Sequence, residues 1–225
     1  MITDYSKQTE LINVFKFNVP LHVIGCGAGG SWLTFFLLKM GFKNIHVYDF
    51  DVVEEHNLPN QMFMEKHIGQ KKVEAMQDIY NTFFDDNVSR LTIHDMKVAG
   101  ADAEKMKGFV FSCVDSMATR KRLYETAFKK GNCDMWIEGR MGLWGAYIYT
   151  LTERSPEMFA KYEETLYDDE EAEVSACGVS QTALPSAANS ASLMISQMLS
   201  AYRGNNIVNE IRYQMPDMMT LNSTW

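Results

Sequence analysis

Cysteine is scarce: the 225 residues hold four, at 26, 113, 133 and 177, with no Cys-x-x-Cys pair and no compact Cys/His cluster. That spacing argues against structural zinc, and a chain this long needs no disulfide framework to hold a core. Basic charge is also short, with 21 Lys+Arg against 29 Asp+Glu and a formal net charge of −8, which leaves no stripe for nucleic acid. No uninterrupted apolar run reaches the ~18 residues of a membrane span. The opening Met1-Ile2-Thr3-Asp4-Tyr5-Ser6-Lys7 lacks the charged start and apolar stretch of a secretory signal. No internal repeat is present. The expectation is a cytoplasmic protein with reduced thiols, no zinc, no membrane segment and no nucleic-acid partner.

What is present suffices for one large domain spanning 1–225, since 46% of the residues are apolar and no firm boundary interrupts them. Leu21 to Ile24 reads as a buried strand, Ser31 to Met40 as a strongly apolar helix ended by Gly41, and Asn44 to Asp49 as the next strand. Val73, Met76, Ile79, Tyr80 and Phe83 have helical spacing, and Val88 to His94 and Phe109 to Val114 read as strands. This alternation predicts a Rossmann-like α/β fold, its central sheet mostly parallel and covered by helices on both faces. Further on, the sequence predicts a helix from Met117 to Lys130, strands at Met135 to Glu138 and Gly145 to Leu151, a helix over Ala183 to Tyr202 and a closing strand at Ile207 to Tyr213. The C-terminal half thus adds antiparallel strands. The polar stretch 155–180, with Glu163-Glu164 and Asp168-Asp169-Glu170-Glu171 at its centre, far exceeds an ordinary connection of ~4–6 residues. It reads either as a solvated loop or as a mobile crossover segment beside a site.

Gly25, Gly27 and Gly30 fit G-x-G-x-x-G, in which glycines permit a tight turn and let backbone N–H groups approach phosphate at a helix N-terminus. The triplet follows a strand, opens a helix and precedes Asp49, which stands where a carboxylate accepts hydrogen bonds from ribose hydroxyls. These features suit NAD and ATP equally. Further along stand Asp49-Phe50-Asp51, Asn57-Leu58-Pro59-Asn60-Gln61, Gly69-Gln70-Lys71-Lys72, and Asp115 followed by Arg120. In this order, over about a hundred residues, they resemble the ThiF/MoeB/HesA family, which includes the adenylation domains of ubiquitin-activating enzymes. The likeness is close from Leu21 to Arg120 and looser to Tyr202.

The resemblance implies an ATP-dependent adenylyltransferase that activates the C-terminal carboxylate of a ubiquitin-like or sulfur-carrier protein, and it implies a homodimer. Gly25, Gly27, Ala28, Gly29 and Gly30 would cradle the nucleotide, with Asp49 and Asp51 on its ribose side. Lys72 would place an ammonium on the phosphates, Asp115 would hold Mg²⁺ through oxygen ligands, and Asn57 and Gln61 would orient the triphosphate as neutral donors. Asp115 also suits a helix N-cap, a role Ser116 could share.

The chain departs from this pattern at Asn60, where relatives carry an arginine that reaches phosphates; an amide supplies no guanidinium fork. Arg120, Arg122 and Arg140 are the candidate substitutes. Arg140, in Glu138-Gly139-Arg140-Met141-Gly142, is equally suited to a salt bridge with Glu138. Cys177 reads either as a thiolate nucleophile or as an unremarkable small residue, whereas Cys26 and Cys113 read as structural. Ala183, Ala187, Ala188 and Ala191, with Met194 and Met198, form a stripe that suits either a dimer contact or packing on the chain's own sheet. Two other functions stay open: a nucleotide-binding scaffold without catalysis, and a nicotinamide-dependent oxidoreductase.

Overall fold

The computed structural model describes residues 4–84, 89–168 and 181–225. One eight-stranded sheet organises them. Four parallel strands, β1 (Leu21–Ile24), β2 (Ile45–Asp49), β3 (Leu91–Asp95) and β4 (Phe109–Ser112), are followed by β5 (Met135–Met141), β6 (Gly145–Leu151), β7 (Glu210–Gln214) and β8 (Met219–Ser223), in the order β3-β2-β1-β4-β5-β6-β7-β8. β5 runs parallel to β4, and each later strand is antiparallel to its neighbour. The strand order reverses between β1 and β4, which places a crevice at their C-terminal ends, where doubly wound sheets bind ligands.

The helices follow from the apolar pattern. α1 (Ala28–Lys39), α2 (Lys72–Phe83) and α6 (Leu184–Tyr202) cover one face, burying Leu33, Leu37, Val73, Met76, Ala191, Met194 and Met198 with Val23, Phe111 and Ile137 of the strands. On the other face, α3 (Gly100–Ala103), α4 (Met117–Leu123) with its π-helical continuation Tyr124–Lys129, and α5 (Pro156–Glu163) pack on Ile24, Val110 and Trp136. Neighbouring strand residues thus feed opposite cores, the two-sided burial expected of a parallel sheet.

One expectation is corrected and one open alternative is decided. The start of the polar stretch is a helix, α5, because Ser155 caps it by accepting the Met158 N–H at 3.1 Å and Pro156 sits at its first turn, where a missing N–H costs nothing. The alanine and methionine stripe of α6 does not face outward: Ala187, Ala191, Met194 and Met198 are fully buried against α1 and the chain's own sheet. Edge strand β8, largely exposed, extends the sheet beyond the closing strand expected from the sequence.

Candidate active site

The crevice opens into a cleft of about 2080 Å³ that runs from the β1–α1 turn across β4 and β5 onto β6 and β7. Gly25, Gly27, Ala28, Asp49, Asp51, Asn57, Asn60, Gln61, Lys72, Asp115 and Arg140 all line it. Residues up to 115 positions apart in sequence, Gly25 and Arg140, are thereby brought to one surface. Gly29 and Gly30 lie buried behind the turn.

Backbone geometry explains the glycines. Gly25 has φ of +92°, and a Cβ there would come within 2.7 Å of the Cys113 carbonyl oxygen, so only glycine lets β1 end this close to β4. At Gly30 a Cβ would stand 1.8 Å from the Gly25 carbonyl oxygen, and this contact sets how closely α1 approaches the turn. Gly27 faces the cleft; the nearest atom to a Cβ there is Gln61 Nε2, at 4.0 Å.

The carboxylates divide into two kinds. Asp49, buried at the end of β2, accepts the Cys26 N–H on Oδ2 at 2.6 Å and the Asp51 N–H on Oδ1 at 2.8 Å, so it shapes the turn as well as facing the cleft. Asp51 pairs with Lys72, Nζ to Oδ2 3.1 Å, and its carbonyl accepts the Lys72 N–H at 3.0 Å. Lys72 is therefore held at the first turn of α2 with its ammonium at the cleft wall. Asp115, just past β4, is exposed to the cleft, and the N-cap of α4 is Ser116, whose side chain accepts the Thr119 N–H at 3.2 Å. Asn57 is buried and its Oδ1 accepts the Glu54 N–H at 2.9 Å. Gln61 Oε1 is buried without a hydrogen-bond partner, an acceptor that a ligand or water in the cleft would satisfy.

Loop 57–62 is fastened to α1 at two points. Trp32 Nε1 donates to the Asn60 carbonyl at 3.0 Å, and the Met62 N–H donates to Ser31 Oγ at 3.1 Å. The Asn60 side chain turns away toward Thr182, donating from Nδ2 to the carbonyl at 2.8 Å.

On the opposite wall is a buried ionic cluster in which Tyr162 joins Glu138, Arg120 and Arg140, a member the sequence did not single out. Glu138, fully buried on β5, receives Arg120 Nη1 at 3.1 Å, Arg140 Nε at 2.5 Å and the Tyr162 hydroxyl. Burial raises the Glu138 carboxyl, yet the flanking Arg120 and Arg140 guanidinia outweigh it and hold the group below the usual carboxylate range. The salt-bridge reading of Arg140 is the observed one. Its Nη1 and Nη2 donate to the Thr165 carbonyl and Oγ1 at 2.5 and 3.0 Å, and the guanidinium lies 4.2 Å from the Tyr149 ring centre. Tyr149 is also missed by sequence reasoning; alternation along β6 puts Tyr147 and Tyr149 on one face but cannot say that this face borders the cleft.

Burial pushes the Cys113 thiol up to about 12 and the Cys26 thiol well above its ordinary value, so neither is primed as a nucleophile. Cys177 lies outside the described residues.

A glycine turn at a topological switch point, facing a lysine, exposed and buried carboxylates and neutral amides, defines a doubly wound α/β protein with a polar crevice at the switch point. The comparisons narrow the class. The chain matches the ThiF family over residues 17–224, and it belongs to that family. It is 27% identical over 123 residues to the probable adenylyltransferase/sulfurtransferase MoeZ of Mycobacterium tuberculosis, covering 53% of this chain and 31% of MoeZ. It is 29% identical over 120 residues to the Nedd8-activating enzyme E1 catalytic subunit of Drosophila melanogaster, covering 52% and 26%. The chain therefore spans about a third or less of the length of these curated relatives. Among solved structures, E. coli MccB with ATP superposes with a TM-score of 0.71 at 14% identity, covering 92% of this chain and 64% of that one. MccB in complex with N-formylated MccA gives 0.74 at 15% identity, with the same coverage. These likenesses establish the fold.

Proposed function

We propose that the protein is an ATP-dependent adenylyltransferase that activates the C-terminal carboxylate of a small ubiquitin-like or sulfur-carrier protein. A carboxylate oxygen attacks the α-phosphorus of ATP, the bond to the bridging oxygen breaks, and pyrophosphate leaves as the acyl adenylate forms. The observation that carries this reading is the convergence of Lys72, Asp115 and Gln61 on the glycine turn within one cleft. A dinucleotide site needs the turn and Asp49 but has no use for the other three.

The turn offers the phosphates room at Gly27. Lys72, oriented by Asp51, supplies positive charge as negative charge builds on the leaving pyrophosphate, and this preorganisation lowers the barrier without side-chain rearrangement. On this reading Asp115, which lines the cleft, would hold Mg²⁺, a hard cation that is commonly bound through one or two carboxylates together with substrate phosphates. Bound there, Mg²⁺ would neutralise phosphate charge.

The relatives named above support this reading: MoeZ is a probable adenylyltransferase/sulfurtransferase, and the Drosophila protein activates Nedd8. The reading includes a cytoplasmic setting and a homodimer, whose contact must use a surface other than the buried stripe of α6. A monomer in sedimentation at micromolar concentration would remove the dimer. Cys177 is proposed for a thiol step after adenylation.

Acceptor-dependent exchange of labelled pyrophosphate into ATP tests the function. Asp115→Ala is expected to abolish exchange with the melting temperature unchanged, and Cys177→Ser to retain it. A scaffold without catalysis is the second reading, favoured by the uncharged Asn60. It predicts ATP·Mg²⁺ binding with no exchange across a panel of carrier tails.

A further inference from the structure

Asn60 holds the position where the family resemblance implies a phosphate-reaching arginine, Arg140 is one candidate to replace that arginine, and both line the cleft. Their polar atoms are engaged elsewhere. Asn60 Nδ2 donates to the Thr182 carbonyl at 2.8 Å, and its backbone carbonyl is held by Trp32 Nε1 at 3.0 Å. The atom left over is Oδ1, buried and without a partner. A carbonyl oxygen repels phosphate, so the amide is oriented the wrong way round for an anion.

Arg140 is committed in the same manner. Each of its three guanidinium nitrogens has a partner: Nε on Glu138, Nη1 on the Thr165 carbonyl and Nη2 on Thr165 Oγ1. Thr165 Oγ1 in turn donates to the Tyr162 carbonyl at 2.6 Å, locking the turn that leaves α5. The Arg140 charge is shared with Glu138 and stacked on Tyr149, 4.2 Å away.

Among the described residues, Thr165 and Thr182 stand on either side of the connection from α5 to α6, and beyond Thr165 the chain is tied once more, at Asp168, whose Oδ1 pairs with Lys121 Nζ at 2.7 Å. We propose that Asn60 and Arg140 are positioning residues that moor these two points to opposite walls of the cleft, Thr182 to the nucleotide loop and Thr165 to β5. On this account the position where relatives carry an arginine has exchanged phosphate contact for a structural tie. The phosphate charge is left to Lys72 and the metal. The consequence for catalysis rests on the adenylation reading; the mooring itself does not.

Hydrogen exchange read by mass spectrometry on the full chain, with ATP·Mg²⁺ binding measured by calorimetry, tests this. One neutral hydrogen bond is worth about 1 kcal/mol, so Asn60→Ala is expected to speed exchange in residues 181–184 about fivefold while residues 163–168 stay unchanged. Arg140→Lys keeps the charge and loses the fork, and is expected to speed exchange in 163–168 by about tenfold or more while 181–184 stay unchanged. In both variants the dissociation constant for ATP·Mg²⁺ is expected to move by less than about threefold, well under the loss of one charged contact. Loss of kcat in pyrophosphate exchange without a change in KM for ATP completes the pattern. Generic destabilisation would loosen both segments together, and that result overturns the proposal. So does Asn60→Arg tightening ATP·Mg²⁺ with exchange unaltered, since the position would then read phosphate. If the wild-type chain binds no ATP·Mg²⁺, the adenylation reading fails, and the end-specific exchange pattern still decides the mooring.

Discussion

Two glycines three residues apart make opposite demands. Gly30→Ala drives a methyl to 1.8 Å from the Gly25 carbonyl oxygen, a backbone atom that cannot swing aside, so α1 or the turn must shift. Overpacking of this kind costs about 1–3 kcal/mol and occasionally more. A clear drop in melting temperature is expected. Gly27→Ala meets nothing nearer than 4.0 Å and should leave the melting temperature unchanged. It places its methyl where phosphate would approach, so calorimetry should show ATP·Mg²⁺ binding at least about tenfold weaker, the loss of one or two backbone contacts. Equal loss of stability in both variants would refute this division. The glycine spacing was legible in the sequence because a turn leaves a local signature. The fates of Asn60 and Arg140 were not, since their partners Thr182 and Thr165 lie 122 and 25 residues away and carry no motif.

Across β1, β2 and β3, three histidines form a ladder. His22 lies beside Tyr48 Oη and the Lys107 carbonyl, each at 3.0 Å; the carbonyl requires Nε2–H as donor, and in the neutral ring Nδ1 then accepts from the Tyr48 hydroxyl. His46 Nε2 donates to Asn44 Oδ1 at 2.9 Å, leaving its Nδ1 to accept from His94 Nε2 at 3.2 Å. Burial, and then the neighbouring His46, bring His22 down to about 4; burial lowers His46 and His94, and His94 lowers His46 further. Each folded value lies below the unfolded one, so the fold favours the neutral rings. Their contribution is fully present above the ordinary histidine range, around pH 6.5, and is lost as pH falls through it toward 4. His22 alone accounts for on the order of 2–3 kcal/mol of that loss. Chemical denaturation between pH 7 and 4 should show the slope, and His22→Gln should flatten it; an unchanged slope would exclude the ladder as its source. Most elements were readable because their periodicity is local. The exceptions are informative: α5 begins with a serine cap and a proline but was obscured by the charge run after it, and β8 is an exposed edge strand with no core-facing pattern.

At the scale of the whole molecule, β5 is the seam between the parallel and antiparallel halves of the sheet, and the Glu138 cluster sits on it. The cluster joins α4 through Arg120, α5 through Tyr162 and the chain beyond α5 through Arg140. Glu138→Gln would leave two buried guanidinia facing a neutral amide, and breaking a buried pair in this way costs about 3–5 kcal/mol. The variant should melt well below the wild type. Because the folded carboxyl lies below its ordinary range, its contribution holds at neutral pH and is lost as pH falls through the carboxylate range, so the difference between variant and wild type should shrink in acid. A difference independent of pH would mean that the charge is not the cause.

The sequence by itself determined the glycine turn, the strand and helix alternation, the family and the set of polar residues that could meet a nucleotide. Each of these is written in local spacing, where backbone sterics and a 2.0 or 3.6 residue period act over a few positions. Only the tertiary structure decided which of those polar atoms are free to face a ligand. Lys72 and Asp115 stand at the cleft, while Asn60 and Arg140 also line it but spend their donors on Thr182 just before α6 and on Glu138 and Thr165, the latter just after α5. A side chain's chemistry is fixed by its residue type; its availability depends on whichever distant group reaches it first, and that is settled by packing.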